Sequence, residues 1–203
     1  ITLEDSKYMK KFEEHQTKSS SFKKESTESS NFDVDCNIFT GYEETRTLSN
    51  VLMVSVDELS TTIFMEKNPF YYEAGGQISD KGKIIYENNE YQVDEVIQTN
   101  SGAIGLKINK SLNISTGEKI ESVVDDLFRR SVSKSHTSAH IVHSSLREIL
   151  GDHVAQAGSY VAPGRFRFDF SHSEKVSSEQ LSEIFSLSNK NVFQDLDVST
   201  KVM

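Results

Sequence analysis

Near Asp125 the apolar residues of this 203-residue chain change their period, and that change constrains the fold more than any other feature. Before it, β-branched and aromatic residues come in short runs broken by turn residues; after it, apolar residues recur at steps of three and four. The runs Val51-Leu-Met-Val-Ser-Val56, Thr61-Thr-Ile-Phe-Met65, Lys83-Ile-Ile-Tyr86, Tyr91 to Ile97 and Gly102 to Ile108 have the composition of strands. Glu87-Asn88-Asn89-Glu90 predicts a hairpin turn, and Asn100-Ser101-Gly102 and Ser115-Thr116-Gly117 are further breaks. Short strands joined by short turns over residues 37–125 predict a small antiparallel β-barrel or sandwich.

Beyond Asp125, Ala139, Val142, Leu146, Ile149 and Leu150 form the apolar face of an amphipathic helix, with Gly151 placed to end it. Gln156 to Val161 and Arg165 to Phe170 flank Ala162-Pro163-Gly164, a hairpin signal. In its second arm Phe166, Phe168 and Phe170 share one face, while Arg165, Arg167 and Asp169 share the other. Ser177 and Gln180 have capping-box spacing ahead of Leu181, Ile184 and Phe185. The fold class expected is α+β: a barrel over 37–125, then an α/β layer over 126–203. Residues 1–36 read as a tail helix, striped by Leu3, Tyr8, Met9 and Phe12, and a serine-rich solvated linker.

Composition removes several function classes. A single cysteine makes no internal disulfide, which points to a reducing compartment. No apolar run approaches the ~18 residues of a membrane span, and the charged opening segment lacks the apolar region of a signal peptide. With 22 Lys+Arg against 31 Asp+Glu, the net charge of -9 opposes broad adhesion to nucleic acid or anionic lipid, leaving room for a local basic patch. A chain that starts at Ile1 and stops at Met203 without a terminal signal is expected to be an excerpt of something longer.

Three constellations could carry chemistry. In Ser135-His136-Thr-Ser-Ala-His140-Ile-Val-His143, positions 136, 140 and 143 share a helix face, and an i, i+4 histidine pair can present two imidazoles to one metal ion. Zinc wants three or four protein ligands. His143, His153, His172 and Asp169 are the possible further donors, and solvated or hydrogen-bonded histidines are the alternative. Asn68-Pro-Phe-Tyr-Tyr-Glu-Ala-Gly-Gly-Gln77 sets two glycines where a backbone could approach a ligand, or where a plain turn could form. Gln156-Ala-Gly-Ser159 is small and polar just after the helix. No P-loop, nucleophile elbow or dinucleotide fingerprint is present, and the acidic surroundings of Cys36 make it a poor nucleophile.

Taken together these motifs resemble the editing region of alanyl-tRNA synthetases. The resemblance rests on Asn68 to Gln77 with Asp80 and Gly82, and on Arg129-Arg130. It continues through His136 to His143, Leu146-Arg147, Leu150-Gly151, His153-Val154, Gln156 to Ser159 and Arg167 to His172. It implies a β-barrel followed by a two-layer editing core shared with threonyl-tRNA synthetases. It further implies hydrolysis of the ester linking serine or glycine to the 3′ end of tRNA(Ala), a second sieve that a methyl-sized pocket requires.

Under the resemblance His136 and His140 bind zinc, together with a downstream Cys-x-x-x-His motif that does not occur in this sequence. Gln156 and Thr137 are the catalytic candidates. Glu73, Gly75, Gly76 and Gln77 line the substrate pocket, and Arg129, Arg130 and Lys134 are candidates for touching the acceptor stem. ATP and magnesium belong to the parent enzyme, whose remaining chain is the other implied partner. Two alternatives stay open: a free-standing editing hydrolase, and a non-catalytic tRNA-docking module with a vestigial metal site.

Overall fold

The computed structural model describes Phe32 and residues 34–195; the expected tail helix and most of its linker lie outside the described residues. Backbone contacts group the chain from Val34 onward in one compact unit. Among the described residues there are eleven strands and two helices. The strands are β1 (Ile38–Phe39), β2 (Arg46–Val56), β3 (Thr61–Met65), β4 (Lys67–Asn68), β5 (Gly82–Tyr86), β6 (Asn89–Gln92), β7 (Glu95–Gln98), β8 (Ile104–Ile108), β9 (Lys119–Val124), β10 (Gln156–Ala162) and β11 (Arg165–Phe170). The helices are α1 (Asp126–Leu150) and α2 (Ser178–Phe193).

Seven strands form one antiparallel sheet in the order β6-β5-β9-β2-β3-β8-β7. It is a curled half-barrel, not the closed barrel expected, because no ladder joins its edge strands β6 and β7. Those two strands are nevertheless consecutive in the chain. The run from Tyr91 to Ile97, expected as one strand, divides at Val93–Asp94. There the Val93 N–H donates to Gly82 O (2.9 Å) and the Asp94 N–H to Lys107 O (2.9 Å), on opposite edges of the sheet. The inner face is filled by Val51, Ile63, Met65, Phe70, Ile84, Leu106, Ile120 and their neighbours. Burial of such side chains contributes about 1.5–3 kcal/mol each.

The Glu87–Asn88 turn has φ values of 49° and 61°, with Tyr86 paired to Asn89 across it. Two left-handed residues match the twist of a two-residue hairpin, and asparagine tolerates that region better than most residues. β2 starts earlier than its apolar run, and β1, β4 and β9 were not expected as strands.

α1 opens on Asp125, whose carboxylate accepts from the Phe128 N–H (3.0 Å), and closes at Gly151 with φ 114°. The β10–β11 hairpin turns at Pro163–Gly164 and forms its own two-stranded sheet. α2 begins with the expected capping box of Ser177 and Gln180. Leu146, Val154 and Ile184 are buried here, with Val142, Ile149, Phe168 and Phe170 packed against them. Small side chains meet between the two helices: Ser188 Oγ donates to Ser145 Oγ at 3.0 Å, both residues buried. Among the described residues no helix is long and apolar enough to cross a membrane.

Candidate functional site

The site grows from the loop between β4 and β5. Its base is closed by Asp80, whose backbone N–H donates to Tyr71 O (3.1 Å) while its carboxylate accepts from the Tyr71 N–H (2.6 Å). Its tip is the Gly75–Gly76 turn, with φ values of 59° and 80°, and Ala74 and Gln77 exchange backbone hydrogen bonds across it. The tip packs on β10: the Val161 N–H donates to Gly76 O (2.7 Å) and the Ile78 N–H to Val161 O (3.2 Å). A β-carbon at Gly76 would stand 2.2 Å from Ser159 Oγ, whereas one at Gly75 would meet nothing within 4 Å. The two glycines thus serve different ends, one close approach and one backbone freedom alone.

Arg129, in the first turn of α1, holds the base of this loop. Its guanidinium forms a two-pronged ion pair with the Asp80 carboxylate and donates also to Pro69 O (2.7 Å) and Gly41 O. The Asp80 side chain is 2% exposed and that of Arg129 13%. Arg129, a candidate for touching nucleic acid, is thereby committed to the protein interior. Arg130 and Lys134 are exposed, with Arg130 paired to Asp126 at 2.8 Å.

Seven residues beyond Arg129, about two helical turns, stands His136. Its Nδ1 lies 2.7 Å from Oε1 of Gln77, which is buried. An amide oxygen can only accept, so Nδ1 carries the proton in this arrangement and Nε2 keeps its lone pair. The rings of His136 and His140 stack at 4.9 Å between centroids, 14° from parallel. Loss of water around His136 holds its pKa below the usual histidine value, and the neighbouring His140 pushes it the same way. His140 is exposed and borders an open cleft of about 420 Å³ lined also by His143, Ser144, Arg147, Glu148 and Asp152.

Other sequence candidates fall around this pair. Gln156 is exposed, and its Nε2 donates to Ser159 Oγ (3.0 Å), which donates on to Gly75 O (3.3 Å). Thr137 and Glu73 are exposed, Thr137 next to His136 in α1 and Glu73 at the start of the glycine turn. Of the other possible metal donors, His153, His172 and Asp169 are engaged elsewhere. His153 Nε2 and His172 Nδ1 share a hydrogen bond (2.9 Å), Asp169 pairs with Arg167 (3.1 Å), and the His143 ring lies 4.8 Å from that of Phe168. His143 Nε2 is buried without a hydrogen-bond partner among the described residues. Among those residues no group of three or more His, Cys, Asp or Glu side chains could hold a metal ion. The stacked imidazoles of His136 and His140 fit the donor chemistry of half a zinc site and no more. Ser159, the polar bridge between turn and strand, carried no sequence signal beyond lying in a small polar segment.

A family model for tRNA synthetases class II (A) matches residues 2–128. The chain is 34% identical to the alanine–tRNA ligase of Fervidobacterium nodosum over 81% of its own length and 20% of that protein. It is 33% identical to the alanine–tRNA ligase of a Thermoanaerobacter species over 98% of itself and 24% of the relative. With the alanine–tRNA ligase of Petrotoga mobilis it shares 42% identity over 68% of itself and 16% of the relative. The chain spans about a quarter or less of the length of these relatives.

Proposed function

Because this chain belongs to the class II (A) tRNA synthetases, we propose that it carries the editing region of an alanine–tRNA ligase, a site that hydrolyses serine or glycine wrongly esterified to tRNA(Ala). The observation that carries this reading is the stacked imidazole pair of His136 and His140, with His136 hydrogen-bonded to a buried glutamine of the glycine turn. On the same reading, α1, α2 and the β10–β11 hairpin correspond to the two-layer core that threonyl-tRNA synthetases share.

His136 and His140 would hold zinc with ligands from outside this set, and such an ion supplies positive charge that orients polar groups of a substrate. The chain's own residues do the remaining work. Gln156, presented on β10, hydrogen-bonds the substrate or the attacking water, and Thr137 adds a hydroxyl beside His136. Glu73 and the backbone of Gly75 and Gly76 line the pocket that receives the 3′ end of the tRNA. Water oxygen adds to the ester carbonyl, the bond from that carbon to the ribose oxygen breaks, and the water's proton passes to the ribose hydroxyl. Free amino acid and uncharged tRNA remain. Positioning of water and ester lowers the barrier by making the attack effectively unimolecular. Joining alanine to tRNA(Ala) with ATP and magnesium is then the parent enzyme's other activity, in the cytoplasm, with the rest of the parent chain as partner.

Deacylation of radiolabelled Ser-tRNA(Ala) tests the proposal, comparing this chain with a form extended through a Cys-x-x-x-His segment. Release of serine by the extended form, lost in H136A and H140A, is the expected result. Ser-tRNA left intact by the extended form, after subtraction of spontaneous hydrolysis, refutes it.

A further inference from the structure

Gln77 entered as a pocket-lining residue, yet its side chain is buried at 6% exposure and its carboxamide oxygen is spent on His136. The backbone around it is fixed on both sides. Its N–H and C=O close the glycine turn on Ala74, and the residues flanking it, Gly76 and Ile78, bond to Val161 of β10. Through Asp80 the same loop is anchored to Arg129, one heptad before His136 on α1. The carboxamide therefore reaches His136 from a loop held at its tip by β10 and at its base by α1. An amide with so little freedom fixes which ring nitrogen of its partner is protonated.

We propose that Gln77 is a positioning residue that holds His136 in the Nδ1–H form and keeps its ring parallel to that of His140, leaving Nε2 as the donor atom for a divalent cation. The assignment rests on the editing-site reading only for the identity of the cation; the hydrogen bond and the tautomer stand without it. A residue that orients a ligand through its second nitrogen alters metal affinity by about 10- to 100-fold when removed. Gln77→Leu takes away the acceptor, whereas Gln77→Glu keeps an oxygen at the same reach.

The test is long-range proton–nitrogen NMR of the full 203-residue chain labelled on histidine, above the pH at which its imidazoles titrate, followed by zinc titration of the same variants in the form extended through a Cys-x-x-x-His segment. The parent chain is expected to give a protonated Nδ1 and an unprotonated Nε2 for His136, with slow exchange of the Nδ1 proton. Gln77→Leu is expected to mix the two tautomers, to speed that exchange, and to lower zinc affinity about 10- to 100-fold. Gln77→Glu is expected to keep the Nδ1–H form. A parent chain whose His136 is protonated on Nε2, or a folded Gln77→Leu chain with an unchanged tautomer, overturns the assignment. Should Gln77→Leu fail to fold, the parent spectrum and Gln77→Glu decide: loss of the Nδ1–H form in Gln77→Glu also overturns it. A chain that keeps the Nδ1–H form while its extended form takes up no zinc leaves Gln77 as the group that sets the tautomer and overturns the assignment of Nε2 as a metal donor.

Discussion

Replacing Arg129 by alanine should destabilise the described fold more than any single surface change. Its guanidinium supplies donors to both oxygens of Asp80 and to the carbonyls of Pro69 and Gly41. With Arg129 in place the Asp80 side chain is 2% exposed, and in R129A the Tyr71 N–H is the remaining described donor to its carboxylate. Removing one partner of a buried ion pair costs about 3–5 kcal/mol, because a charge is left without compensation away from water. For a domain of this size each kcal/mol lowers the melting temperature by about 2–4 °C, which gives a drop of about 6–20 °C. Urea unfolding followed by circular dichroism measures it directly. R46A is the comparison, since Arg46 also makes a two-pronged pair, with Glu121, but its side chain is 63% exposed. The double variant D80N/R129M should recover part of the loss, because it removes the stranded charge. If R129A costs no more than R46A, the buried clamp does not hold the loop to the helix.

Three further outcomes follow from the same structure. Gly76→Ala should destabilise well beyond Gly75→Ala: both positions have positive φ, worth about 1–2 kcal/mol of strain, but only Gly76 adds a clash with Ser159; paired thermal melts show the difference. The lowered pKa of His136 means that below its ordinary value of 6.5 the unfolded chain binds a proton that the folded chain refuses. Stability contributed by this group is therefore lost as pH falls through 6.5 toward the folded value, and H136Q should flatten that part of a stability–pH curve. Ile184→Ala, deleting a buried side chain between α1, α2 and the hairpin, should cost about 2–5 kcal/mol in denaturant unfolding.

The elements most legible in the sequence were those whose apolar pattern coincides with burial. α1 and the alternating β11 follow their period closely, and β3 is buried along its whole run. The first half of β2 inverts that rule: Thr47 and Ser49 are buried while Leu48 is 64% exposed. The buried hydroxyls are satisfied, Thr47 by Glu44 and Ser49 by the Lys67 N–H, so an apolar pattern could not reveal the strand. In β9 the inward Ser122 interrupts what would otherwise be an apolar face.

Within the site, the His136–His140 pair is local to one helix and its spacing exposes it. Gln77 lies 59 residues from His136 and Asp80 49 from Arg129. Such partners meet only through the path of the loop between sheet and helix, which no spacing encodes. The tRNA-contact candidates divide for a similar reason, since burial in an ion pair withdraws Arg129 and leaves Arg130 and Lys134 on the surface.

The Val93–Asp94 corner bears on how this chain behaves among its neighbours. A sheet with unpaired outer strands is a template on which other chains can add strands, the first step of edge-to-edge aggregation. Here two peptide units tie the ends of both outer strands to one corner, which holds the two edges in place. A protease nick at that corner would remove no core side chain, yet it would release two adhesive margins at once. Self-association, measured by light scattering, should therefore outrun any loss of secondary structure in the nicked protein.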